Sequence, residues 1–111
     1  MSAAPGDGFE VVLLTAPDEA VARGLARALV EARLAACVNL VAGVRSIYRW
    51  QGAVEETAEI LLLVKMRAVH AGELERLVRE RHPYEVPELL RLPVLGGSAA
   101  YLAWLRESCA P

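Results

Sequence analysis

The chain has 111 residues, a formal net charge of −2 and 55% hydrophobic residues. That length fits a single domain, and a near-neutral surface with both signs interspersed excludes strong general attraction to nucleic acid or anionic lipid. The longest uninterrupted aliphatic run, Ile60 to Val64, falls far short of the ~18 residues a membrane span requires. A domain this small leaves about a third of its unfolded surface exposed, so this much apolar material exceeds what one core needs. Alanine absorbs part of the surplus, and a subunit interface is expected to absorb the rest. Two cysteines, Cys37 and Cys109, make neither a disulfide framework nor a zinc knuckle. Residues 1–8 lack a basic region followed by an apolar stretch, so they read as a short flexible tail before one domain over 9–111, and a cytoplasmic location is expected.

Phe9 to Thr15 is a β-rich apolar run and reads as the first strand. Pro17 then opens a helix, with Asp18 and Glu19 where the N-terminal dipole favours carboxylates. Val21, Leu25, Ala28, Leu29 and Ala32 follow at helical spacing as one apolar stripe. Ala35 to Trp50 reads as a long strand, with Gly43 marking a bulge. Gln51-Gly52 is a two-residue hairpin turn, and Val54 to Met66 returns as a second long strand. Its stretch Ile60 to Val64 does not alternate, so it predicts a strand covered on both faces. Two helices cover one face of such a sheet, and another subunit is the simplest cover for the other.

A second helix is predicted from Val69 to Arg81, with Leu74, Leu77 and Val78 as its core stripe. Pro83 ends it, because the residue before a proline is pushed out of the α region. Glu88 to Val94 is a fourth strand, and Pro93, which cannot donate to a ladder, places it at an edge. Ser98 caps a last short helix carrying Tyr101, Trp104 and Leu105. The order is β-α-β-β-α-β plus a terminal helix, an α+β ferredoxin-like pattern with a long hairpin between its second and third strands.

Five strings stand in register along this pattern: Leu34 to Asn39, Ser46 to Gly52, Glu59 to Lys65, His82 to Glu88 and Tyr101 to Trp104. In this order and spacing the chain resembles the CutA family from about Val11 to Glu107. The resemblance implies a ferredoxin-like sandwich and a tight homotrimer whose long hairpins pair across subunits. It also implies a link to tolerance of divalent ions, copper especially. The architecture is similar to that of the trimeric PII signalling proteins, which leaves small-molecule sensing open. Some relatives carry extra cysteines suspected as copper ligands, and those regions here hold Leu14 and Leu77.

Cys37 is either a soft ligand for copper or a small buried hydrophobe. His82 either ligates a metal or faces a cleft through its imidazole, or is a helix C-terminal residue favoured by the dipole. His70 is expected to be solvated, and Cys109 to lie near a mobile end without a role. Tyr48, Trp50, Tyr84 and Trp104 are four of the six aromatics and are candidates for an intersubunit pocket, or for plain packing. Glu59 and Lys65 fall on one face of their strand and are either cleft groups or an ordinary cross-strand ion pair. Asn39, from the first string, joins the cleft candidates.

Enzyme motifs are missing: there is no Gly-rich phosphate loop, no Gly-x-Ser-x-Gly elbow and no His-Glu-x-x-His zinc helix. A Cys-x-x-Cys carrier loop is also missing, and the strands lack the aromatics of an RNA-binding sheet. One cysteine and one histidine cannot build a closed four-ligand site. Any metal site is therefore open, shared between subunits, or completed by water and carboxylates such as Glu59. Cu(II) suits such an unselective site best, weakly, with a fold that does not require it. The leading reading is a non-enzymatic homotrimer of divalent-cation tolerance; the rivals are a metabolite sensor with an intersubunit cleft and a structural adaptor.

Overall fold

Four antiparallel strands form one sheet in the order β2-β3-β1-β4, in a computed structural model that describes residues 8–111. The elements follow as β1 (Phe9–Ala16), α1 (Glu19–Glu31), β2 (Cys37–Trp50), β3 (Ala53–Arg67), α2 (Ala71–Arg81), β4 (Leu89–Pro93) and α3 (Ala99–Ser108), with one 3-10 turn, Ala68–His70, leading into α2. This is the ferredoxin-like order, with an added terminal helix. The tail expected over 1–8 lies outside the described residues, save Gly8, whose carbonyl accepts the Ala68 N–H at 2.9 Å.

Strand alternation sorts the sheet into two faces. Val12, Leu14 and Ala16 of β1 meet Leu62, Val64 and Met66 of β3 in one fully buried layer. Ala22, Leu25, Ala26 and Leu29 of α1 and Leu74 and Val78 of α2 cover that layer. The α1 stripe therefore runs through Ala22 and Ala26 rather than Ala28 and Ala32, and Ala32 is exposed at the C-cap. The start of α1 also shifts. Asp18 is the N-cap and its carboxylate accepts the Val21 N–H at 2.9 Å, so Pro17 precedes the cap instead of opening the helix. A side-chain acceptor at that position satisfies one orphan donor of the first turn.

The hairpin forms as its sequence predicts. Trp50 faces Ala53 across the turn, and Gln51 and Gly52 both have positive φ, 48° and 81°, the signature of the hairpin turn that matches strand twist. The register slips between Val41 and Val44, where Gly43 sits at φ 79°. A bulge there bends the strand and tightens its twist. β1 pairs with β3 only from Ile60 to Arg67, so the stretch from Ala53 to Glu59 has β2 as its one strand partner. The hairpin thus projects beyond the sheet. The radius of gyration, 14.7 Å, exceeds the roughly 13 Å of a compact domain of this length.

α3 packs on the other face, at the opposite end from the hairpin. Leu105 and Cys109 bury themselves against Ala36 and Phe9, and the Arg106 guanidinium lies 4.9 Å from the Phe9 ring centre. The C-terminus is fastened rather than loose. Arg33 donates to the carbonyls of Glu107 (2.8 Å) and Cys109 (3.2 Å), and Arg67 to that of Ala110 (3.0 Å). His70 is buried and bonds the Ala110 carbonyl through Nε2 at 2.7 Å. This corrects two expectations, the solvated His70 and the mobile end at Cys109. Both groups belong to one clasp formed by contacts 40 or more residues apart, which local pattern does not reveal. Cys109 is almost fully buried, and that burial raises its thiol pKa.

Candidate functional site

Where the hairpin leaves the sheet, it faces the stiff segment between α2 and β4 across a cleft of about 620 Å³. Ser46, Tyr48 and Trp50 come from β2, Glu59 from β3, Thr15 from the end of β1, and Tyr84, Glu85, Val86 and Glu88 from the segment. Pro83 and Pro87 limit that segment's freedom. His82 fastens it to β1. The ring is buried, Nε2 lies 2.7 Å from the Thr15 carbonyl, and Nδ1 lies 3.1 Å from the Tyr84 backbone nitrogen. A carbonyl only accepts and an amide N–H only donates, so Nε2 carries the proton and Nδ1 is the acceptor. As placed, the neutral ring has no unused lone pair. It also tilts against the Tyr84 ring, with centres 4.9 Å apart.

Glu59 is the most enclosed carboxylate of the cleft, with 8% of its surface exposed. Its one side-chain partner among the described residues is the Tyr84 hydroxyl, which donates to Oε2 over a long 3.4 Å. Burial, then the Glu59 charge, raises the Tyr84 phenol above its usual range. Burial also raises the Glu88 carboxyl, and the neighbouring Glu59 adds to it. The lining holds three carboxylates, from Glu59, Glu85 and Glu88, and no lysine, arginine or histidine. Such a cavity favours positive charge and large flat groups.

Tyr48, Trp50, Glu59 and Tyr84 thus meet at one place, as four of the residues singled out from the sequence. The others lie elsewhere. Cys37 is half-buried opposite Lys65, which in turn faces Val11. Thr15, the anchor of His82, is four residues further along β1. At about 3.4 Å per residue, Cys37 and His82 are therefore separated by roughly 14 Å along the strand direction alone, and β3 also lies between β2 and β1. Asn39 is exposed opposite Leu63. Trp104 lies tilted against Tyr101, with ring centres 5.5 Å apart, on α3. Glu59 and Lys65 share a face, yet neither forms an ion pair among the described residues. No group of three His, Cys, Asp or Glu side chains among the described residues converges as a metal site. Sequence reading missed Thr15, Ser46, Glu85 and Glu88. Thr15 and Ser46 carry no local signal, whereas the acidic spacing from Glu85 to Glu88 around Pro87 was there to be seen.

A ferredoxin-like sheet with one helix-covered face, a projecting hairpin and a cleft at its base defines the class. Solved structures share it. The divalent cation tolerance protein of Thermus thermophilus superposes with a TM-score of 0.90 at 55% identity, over 92% of this chain and 99% of that one. The CutA1 structure from Oryza sativa does so with a TM-score of 0.91 at 38% identity, over 96% and 98%. The family model for the CutA1 divalent ion tolerance protein matches residues 10–108. The chain belongs to the CutA family. By sequence alone, the Thermus thermophilus divalent-cation tolerance protein CutA is 57% identical over 89% of this chain and 96% of its own length. The human protein CutA is 48% identical over 93% of this chain, which spans 57% of that longer protein.

Proposed function

We propose that the protein acts as a non-enzymatic homotrimer in divalent-cation tolerance, binding Cu(II) weakly at a site shared between subunits or completed by water. The observation that carries the assembly is the second face of the sheet. Val11 and Leu13 of β1 and Leu61 and Leu63 of β3 are half-buried there, while Val41, Leu90 and Leu92 are 40–56% exposed. A patch this apolar marks an interface. The edge strand β2 runs 14 residues, and a long unpaired edge is itself a template for another chain. A two-stranded hairpin carrying exposed Ile47, Trp50 and Val54 is marginal alone in water, which further supports cover by neighbours.

A metal reading fits an open site better than a built one. Cys37 and Lys65 lie on the face assigned to the interface, so three copies can bring thiols near one another. Ligation by His82 requires release of the Tyr84 N–H from Nδ1. The two thiols remain unpaired, which suits a reducing cytoplasm, and no helix among the described residues is long and apolar enough to cross a membrane. A second reading, a trimeric small-molecule sensor, is favoured by the aromatic cleft. Calorimetry of the purified protein tests both readings. Saturable Cu(II) binding lost in Cys37→Ala or His82→Ala supports the first. Unchanged copper binding in both variants removes those residues as ligands and leaves the sensor.

A further inference from the structure

Three observations fall on one line across the sheet. On β2, Ala42 and Gly43 stand opposite the single residue Ile60, between the pairs Val41–Leu61 and Val44–Glu59. Ile60 is also the last residue of β3 that pairs with β1, through Ala16. A Cβ at Gly43 would meet nothing within 4 Å, so the glycine is there for its φ of 79° and not for a close approach. Only glycine takes that conformation without strain.

Beyond this line the chain gives its hairpin little support. From 42 to 58 no residue is buried, and none joins either core. The segment from 84 to 88 faces the hairpin only across the cleft. The two strands hold each other, helped by one exposed ion pair, Arg45–Glu56 at 3.5 Å, of a kind that contributes little. Yet the hairpin is apolar on both faces. Tyr48 and Trp50 point to one side, Ile47 and Val54 to the other, each 41–68% exposed. A two-stranded ribbon of this kind is marginal alone, and such side chains favour strands where neighbours pack on them.

We propose that residues 44–58 form an arm held in place by a neighbouring copy: in a single chain the arm frays and swings about the bulge, and assembly clamps it. The inference rests on the homotrimer reading above and names what assembly orders. Segments with few buried apolar contacts open locally, and ordering them on association costs entropy at that step. Separation of the copies and loss of the arm are therefore one event. Ser46, Tyr48 and Trp50 ride on the arm, so the cleft has its β2 wall only in the assembled protein.

Amide exchange, followed residue by residue in the parent and in Leu63→Asp, tests this, with light scattering on the same samples. In the assembled parent, the amides that join β2 to β3 beyond the bulge should exchange as slowly as those from 61 to 66. In monomeric Leu63→Asp they should speed by about a hundredfold or more, with the step between Val41 and Val44, while the helix-covered core stays protected. Slow arm amides in that monomer, or fraying that runs evenly along β2 to Cys37, overturns the proposal. If Leu63→Asp does not fold, Ile47→Thr and Trp50→Thr decide, one from each face of the arm. Threonine keeps the strand preference, and neither residue joins a core of its own chain. At least one of the two should speed arm exchange by about tenfold, through loss of a buried apolar side chain. Parent-rate exchange in both overturns the proposal. A parent that runs as a monomer overturns the arm and the homotrimer together, whereas a trimer whose arm exchanges fast overturns the arm alone.

Discussion

The two faces of the sheet differ less in sequence than in what covers them. On β3, Leu62, Val64 and Met66 point to α1 and α2 and are wholly buried. Their immediate neighbours Leu61 and Leu63 are equally apolar, point the other way, and are only partly buried. β1 repeats the arrangement, with Val12 and Leu14 inside and Val11 and Leu13 half covered. α3 shields only one corner of that second face, around Phe9 and Ala36. Unbroken apolar runs thus mark a sheet that is apolar on both sides, of which the chain supplies one cover and part of another.

The sharpest way to break this comparison is a charge on each face in turn. Leu62→Asp places an unpaired carboxylate inside the subunit's own core, where such a burden costs several kcal/mol. It should yield no folded protein, judged by circular dichroism. Leu63→Asp should leave the helix-covered core intact but separate the copies. Its melting temperature should fall as well, because assembly stabilises the native state by mass action. Equal, small effects at both positions would mean that the second face stays wet.

The clasp that holds α3 over its corner offers a smaller test. Arg33 sits at φ 60° just past the end of α1, a left-handed conformation that favours glycine. Arg33→Gly relieves that strain and removes both carbonyl contacts to Glu107 and Cys109; Arg33→Ala removes the contacts and keeps the strain. Arg33→Ala should therefore be the less stable by about 1 kcal/mol. Both should speed amide exchange in α3, and exchange at the parent rate would show that the clasp does not restrain the helix.

How far the sequence could be read follows the same division. Strands, turn and bulge were legible because alternation, Gln51-Gly52 and Gly43 are local signals. The apolar second face was legible from Ile60 to Val64 alone. The clasp was not, because Arg33, Arg67 and His70 bond carbonyls of residues 107–110, and a backbone carbonyl leaves no trace in residue identity. Half of the cleft was legible for a related reason. Tyr48, Trp50 and Tyr84 stand out as rare aromatics, while Thr15 enters only because β1 ends beside the 82–88 segment. His82 stands out by residue type as a metal ligand, whereas its two hydrogen bonds depend on how α2 ends against β1.

At the margin of the helix-covered face, Arg91 grips Glu10 with two hydrogen bonds of 2.6 and 2.8 Å. The pair ties edge strand β4 to β1. Arg91 is half exposed, so Arg91→Ala should cost only about 0.2–1 kcal/mol in denaturant titration, far less than either aspartate. A loss of several kcal/mol would mean that this edge is buried in the assembly.

The smallest effect concerns pH. The Glu88 carboxyl is raised by burial and by Glu59, so the folded state binds its proton more readily than the unfolded chain does. Its contribution therefore favours folding at low pH and is lost as pH rises through the folded value. Glu88→Gln should melt slightly higher than the parent near neutrality, and the gain should vanish in acid, below about pH 4, where both states hold the proton. A constant difference across that range would show that charge is not the cause.

The proposed cover of the second face by other copies is tested most directly by the mass of the protein in solution. Light scattering on a gel-filtration column at micromolar concentration should give three times the 12.0 kDa chain mass. A stable monomer of 12.0 kDa would contradict it, because Leu61, Leu63, Leu90 and Leu92 would then face water.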